Sequence, residues 1–146
     1  MSQDAKPGDD AVPRLSGGCL CGDIRYTVTA KPAGVSICNC RHCRKQSGSH
    51  RSLNWLVPEG DLAITGPLAT FEDMGDSGKP VLRQFCPRCG SPIRTVAQSI
   101  PGFDVLKSGT LDETPPDAPR FAIYGDRAAS WEAEALPCPV FPLNRG

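Results

Sequence analysis

Seven cysteines in three short clusters constrain this chain more than any other feature: Cys19-Leu20-Cys21-Gly22, Cys38-Asn39-Cys40-Arg41-His42-Cys43 and Cys86-Pro87-Arg88-Cys89-Gly90. Thiolates are soft, anionic ligands, and two turns that each offer a pair can together complete a tetrahedral zinc shell. The spacing divides the seven into four and three. Cys19, Cys21, Cys86 and Cys89 can close one all-sulfur site, tying the first strand to a hairpin far along the chain. Cys38, Cys40 and Cys43 can hold a second ion from one local turn and leave its fourth position to an incoming ligand. A closed shell serves structure, whereas an open one can do chemistry.

Glycine directly follows Cys21 and Cys89, where a residue without Cβ lets the backbone turn tightly and bring its amides toward metal-bound sulfur. The triple can instead be closed by the chain itself. His42 lies inside the knuckle, His50 lies beyond Gly48, and Cys138 sits in an apolar, proline-flanked segment that equally suits a buried thiol. Arg41, Arg44, Lys45 and Arg51 lie near the triple in sequence, where they could offset its negative charge and attract the carboxylates of an anionic thiol.

The other reading of the cysteines, four disulfides in a secreted protein, fits poorly. Residues 1–14 hold no apolar run of signal-peptide length, and nothing later approaches the roughly 20 apolar residues of a membrane span. The expected setting is a reducing cytoplasm, where such spacings read as metal knuckles. Formal net charge is zero, and loading seven thiolates with two zinc ions shifts it to about −3. Neither value is the basic footprint of a nucleic-acid binder, and no membrane partner is expected.

At 146 residues the chain has room for one domain. A polar, disordered tail is expected over residues 1–14 and a single zinc domain over 15–146. Fifteen glycines and fifteen prolines favour short strands joined by turns over long helices, so the class is mainly β. Ile24, Tyr26 and Val28 alternate with Arg25 and Thr27 as in a half-buried strand. Val35-Ser36-Ile37 is a short strand delivering Cys38, and one or two helical turns over Arg41 to Ser47 end at Gly48. Segments 53–57, 62–65 and 69–71 read as a meander of hairpins, and 81–85, 93–96 and 103–107 as further strands. Gly109 to Asp112 and Thr114 to Pro119 read as a long polar connection, and residues 136–142 as an extended segment across the body.

Taken together, Gly17-Gly18-Cys19-Leu20-Cys21-Gly22 with Tyr26, the triple with Arg44 and Ser47-Gly48-Ser49, Phe85-Cys86-Pro87-Arg88-Cys89-Gly90-Ser91-Pro92, and Gly109-Thr110-Leu111-Asp112 resemble the glutathione-dependent formaldehyde-activating family, also called the centromere protein V type domain. The likeness runs from about Leu15 to Trp131. It implies a β-tent fold of stacked antiparallel sheets, a structural zinc on the outer pairs and a catalytic zinc on the triple. It further implies addition of glutathione to formaldehyde to give S-hydroxymethylglutathione, a carbon-sulfur lyase reaction in reverse. Where members often carry a histidine before a late Ile-aromatic pair, this chain has Ala122 before Ile123-Tyr124. Expected partners are therefore a glutathione-like thiol and a small aldehyde. The competing class is a non-catalytic two-zinc module that binds a protein or nucleic acid. A redox reductase would need a free activated thiol, and only Cys138 is left over.

Overall fold

The computed structural model describes residues 14–29, 31–113, 117–131 and 138–143. Of the expected disordered tail only Arg14, exposed, falls within them; residues 114–116 of the polar connection and 136–137 of the late segment also lie outside. In chain order the described strands are β1 (Leu15–Gly18), β2 (Arg25–Val28), β3 (Gly34–Cys38), β4 (Ser52–Pro58), β5 (Leu62–Thr65), β6 (Ala69–Met74), β7 (Pro80–Phe85), β8 (Pro92–Ala97), β9 (Phe103–Lys107) and β10 (Phe121–Ile123). One helix, α1 (Arg41–Ser47), follows β3 and ends at Gly48, which takes the left-handed conformation and returns its N–H to Arg44 O. No described helix is long and apolar enough to cross a membrane.

The strands form a three-stranded sheet, β1-β2-β5, and a seven-stranded sheet, β10-β3-β4-β9-β8-β7-β6. The pairings are antiparallel except that β10 runs parallel to β3, so the second sheet is mixed. The fold is mainly β with little helix, as composition indicates. The expected meander over β4 to β6 is not formed. β4 pairs with β3 and β9, β5 crosses to the small sheet beside β2, and β6 forms the outer edge next to β7. Trp55 and Val57 are buried, and the long-range partner β9 supplies the backbone groups that a local hairpin would have offered.

Side chains alternate across a strand, so register sorts the large sheet into two faces. On one, Val35, Trp55 and Leu106 fall in a row and pack with Val57 against Ile24, Tyr26, Val28 and Leu62 of the smaller layer. This is the apolar core, where each fully buried aliphatic side chain contributes about 1.5–3 kcal/mol. Pairing places Cys38 beside Ser52, Asn54 beside Lys107, Val105 beside Thr95 and Thr95 beside Arg83 on the opposite face. Ser52, Asn54, Lys107, Thr95 and Arg83 are polar yet buried, and α1 packs against β4 there.

Part of the polar connection is ordered against β1. Leu111 bridges to Gly17, Tyr26 Oη lies 2.7 Å from Thr110 Oγ1, and Arg25 pairs with Asp112. A Cβ on Gly17 would overlap Thr110 O and the Tyr26 hydroxyl, which explains a glycine inside this strand. The described part of the late segment lies beside β10: Val140 bridges Ala122 in parallel, and Phe141 N donates to Ala122 O at 2.7 Å.

Candidate metal centres

The outer cysteine pairs meet because each is presented by a turn at a strand's end. Cys19 and Cys21 occupy the turn between β1 and β2, and Cys86 and Cys89 the turn between β7 and β8. Gly22 and Gly90, at φ 87° and 82°, supply the left-handed residue in each. The four sulfurs gather within 4.8 Å of one another. Cys21 Sγ lies 3.6 Å from Cys19 Sγ and 3.7 Å from Cys86 Sγ. Tetrahedral zinc with bonds of about 2.3 Å requires sulfur-sulfur edges near 3.8 Å, so the donor set fits such an ion. Backbone amides point at the sulfurs: Ile24 N to Cys19 at 3.2 Å, and Arg88 N and Cys89 N to Cys86 at 3.3 and 3.4 Å. All eight thiols are free of disulfides.

The middle triple is built where β3 becomes α1. Cys38 ends the strand, Cys40 caps the helix by accepting from Cys43 N at 3.2 Å, and Cys43 sits one turn in. Their sulfurs also lie within 4.8 Å of one another, a second group able to hold a metal ion. Among the described residues no fourth Cys, His, Asp or Glu joins the three. Cys138, half-buried, belongs to neither group. His42 turns its Nδ1 to Asp73 Oδ2 at 2.7 Å, and the His50 ring lies edge-on to Trp131.

Arg41 and Lys45 are exposed, and Arg44 Nη1 donates to Arg127 O. Two buried cations from distant strands act on these thiols. Arg83 points Nη1 at Cys43 Sγ, 3.9 Å away, while its Nε donates to Asp73 Oδ2 at 2.8 Å. Lys107 Nζ donates to Ser52 Oγ at 3.1 Å and Asn54 Oδ1 at 3.0 Å. Hydrogen bonds with Cys38 and Cys40, aided by Lys107 and Arg83, hold Cys43 far below the usual thiol range, while hydrogen bonds with Cys40 and Cys43, together with burial, push Cys38 up. Burial lowers the pKa of Lys107, and the thiols oppose it. Asp73 is held at about 2, where bonds from His42 and Arg83 outweigh the cost of its burial.

Other features near the triple escaped sequence reasoning. Asn39 is buried, donates Nδ2 to Ile123 O at 3.3 Å, and has no partner for Oδ1 among the described residues. Tyr124, next to the residue paired with Cys38, is the non-glycine residue with positive φ among those described, at 58°. Ala122 is fully buried and pairs with Ile37, so it faces away from Cys38. A cleft of about 470 Å³ opens between Val35, Leu53, Trp55, Leu111 and Pro119, and none of the cysteines is among its described lining residues.

Residues 14–127 match the family described as glutathione-dependent formaldehyde-activating enzyme. Among solved structures, the crystal structure of a Rhodobacter sphaeroides protein superposes with a TM-score of 0.58 at 16% identity, covering 86% of this chain and 99% of that one, a likeness of fold. No curated protein matches.

Proposed function

Because the chain belongs to the glutathione-dependent formaldehyde-activating enzyme family, we propose that it is a zinc-dependent enzyme of the carbon-sulfur lyase type, which adds a thiol such as glutathione to formaldehyde or another small aldehyde. In this reading Cys19, Cys21, Cys86 and Cys89 hold a structural ion, and Cys38, Cys40 and Cys43 hold the one that takes part in chemistry. The observation that carries it is the triple: three thiols gathered at a helix cap, with no fourth protein ligand among the described residues.

A zinc ion held by Cys38, Cys40 and Cys43 would supply Lewis acidity that lowers the pKa of an incoming thiol. The chain does the rest. Cys38, Cys40 and Cys43 fix the position against β4, and their negative charge limits activation of water in favour of sulfur. Asp73 clamps the ligand-bearing helix by accepting from His42 on α1 and Arg83 on β7 at one oxygen. In the reaction the thiolate sulfur forms a bond to the aldehyde carbon, the carbonyl π pair moves to oxygen, and that oxygen takes a proton. Thiols add to formaldehyde unaided, so the gain lies in positioning the pair and in keeping sulfur deprotonated. Thiolate ligation on both centres accords with a cytoplasmic setting, and the zero net charge with small-molecule rather than nucleic-acid partners.

Exchange NMR of formaldehyde, glutathione and their adduct tests this directly. The zinc-loaded protein is expected to accelerate exchange beyond the spontaneous rate, and Cys40→Ala to abolish the excess. Equal rates with and without protein, across several small aldehydes and thiols, remove the assignment and leave a two-metal binding module.

A further inference from the structure

Two buried cations flank the three thiols, and among the described residues one of them, Arg83, has a carboxylate to match it. Arg83 is paired with Asp73 at 2.8 Å. Lys107 is 6% exposed and, among the described residues, forms no ion pair with a carboxylate; its two acceptors, Ser52 Oγ and Asn54 Oδ1, are neutral. Taken out of water, an ammonium either gives up its proton or is held by a counter-charge. Register identifies it. Asn54 lies opposite Lys107, and Ser52 lies opposite Cys38 on the same face, so the ammonium is anchored on the neighbour of the first thiol. As thiolates, Cys43, Cys38 and Cys40 favour the charged form of Lys107, while Arg83 acts against it.

The cradle holds this charge without cancelling it. Ser52 Oγ donates to Asn54 Oδ1 at 2.8 Å, which fixes both oxygens as acceptors for Nζ. An aspartate at position 54 would do the same work and neutralise the ammonium. Three thiolates around a divalent ion carry one net negative charge, and Lys107 carries one positive. A thiolate arriving as fourth ligand adds a second negative charge, which Lys107, with no carboxylate partner among the described residues, is placed to offset, whereas a neutral ligand adds none.

We propose that Lys107 is the counter-ion of the three-thiolate centre, a positioning residue that makes its fourth place favour an anionic sulfur ligand over a neutral one. This rests on the reading of the triple as a divalent-metal site. The test uses the full chain loaded with cobalt, whose absorption bands report the ligands, titrated at neutral pH with 2-mercaptoethanol and separately with imidazole. Lys107→Met is expected to weaken 2-mercaptoethanol binding by about tenfold or more, as loss of one nearby charge at intermediate dielectric implies. Imidazole binding is expected to stay unchanged. Asn54→Asp, which keeps the lysine but neutralises it, is expected to behave like Lys107→Met and decides alone should the latter not fold. Unchanged 2-mercaptoethanol binding in a folded variant that retains both ions, or equal weakening of both probes, overturns the proposal. Failure of Cys40→Ala to lose one cobalt equivalent would instead sink the metal-site reading beneath it.

Discussion

Tyr26 fastens the small sheet to the loop that leaves the large one. It is 2% exposed, packs in the shared core, and meets Thr110 through its hydroxyl at 2.7 Å, directly above the strand position that must be glycine. Burial, with the Thr110 bond opposing it, pushes its phenol from 10.0 up to about 12. The folded chain therefore keeps a proton that the unfolded chain releases first. That contribution to stability is complete below pH 10 and is lost as pH rises toward 12. Urea unfolding across this window should show wild-type stability falling more steeply than that of Tyr26→Phe, which at neutral pH gives up about 1 kcal/mol with its hydrogen bond. Parallel slopes would mean that the phenol is not the group responsible. Gly17, Tyr26, Thr110 and Asp112 were legible as members of a motif, but their mutual contact was not, because a motif carries order without distance. Arg83 and Lys107 gave no signal at all. Each is one basic residue in an alternating strand, and only register brings it beneath the thiols.

At the level of elements, the two centres differ in what they join. The four-cysteine site links the β1–β2 turn to the β7–β8 turn, across two sheets, whereas the triple belongs to one continuous strand-to-helix segment. Metal at the first site closes a long loop, and structural zinc can supply binding energies of about 10–16 kcal/mol in small domains. Metal at the second restrains a segment that β4 pairing and the Asp73 clamp already hold. Cys86→Ser should therefore cost several kcal/mol, or prevent folding, while Cys40→Ser should lose one metal equivalent with a far smaller shift in the unfolding midpoint. Metal content measured alongside thermal unfolding separates these outcomes, and equal destabilisation by both changes would refute the division of labour. The knuckles, α1 and its glycine stop were readable because spacing, capping and glycine conformation are local. The departure of β5 from its neighbours was not, because its four residues Leu62–Thr65 offer no pattern that distinguishes a hairpin partner from β2.

For the molecule as a whole, mainly β architecture follows from composition, but the strand order β10-β3-β4-β9-β8-β7-β6 does not. It is set by which apolar faces can be buried together, and it alone creates a sheet with an apolar side against the β1-β2-β5 layer and a buried polar side beneath α1. The two metal groups reflect that division, since the outer-pair cysteines pack with the core cluster and Cys38 lies on the polar side. Removal of metal should thus proceed in two stages. A chelator added in excess at neutral pH is expected to take one equivalent from the triple while far-ultraviolet circular dichroism stays native. The second equivalent should leave only with global unfolding, because sulfurs from two turns must separate to release it. Metal release followed with a colorimetric indicator, in parallel with the dichroism signal, gives the comparison. Simultaneous loss of both equivalents with structure would show that the triple is as deeply tied into the scaffold as the four-cysteine site, and a slow equivalent that departs without unfolding would show that the outer pairs do not hold the sheets together.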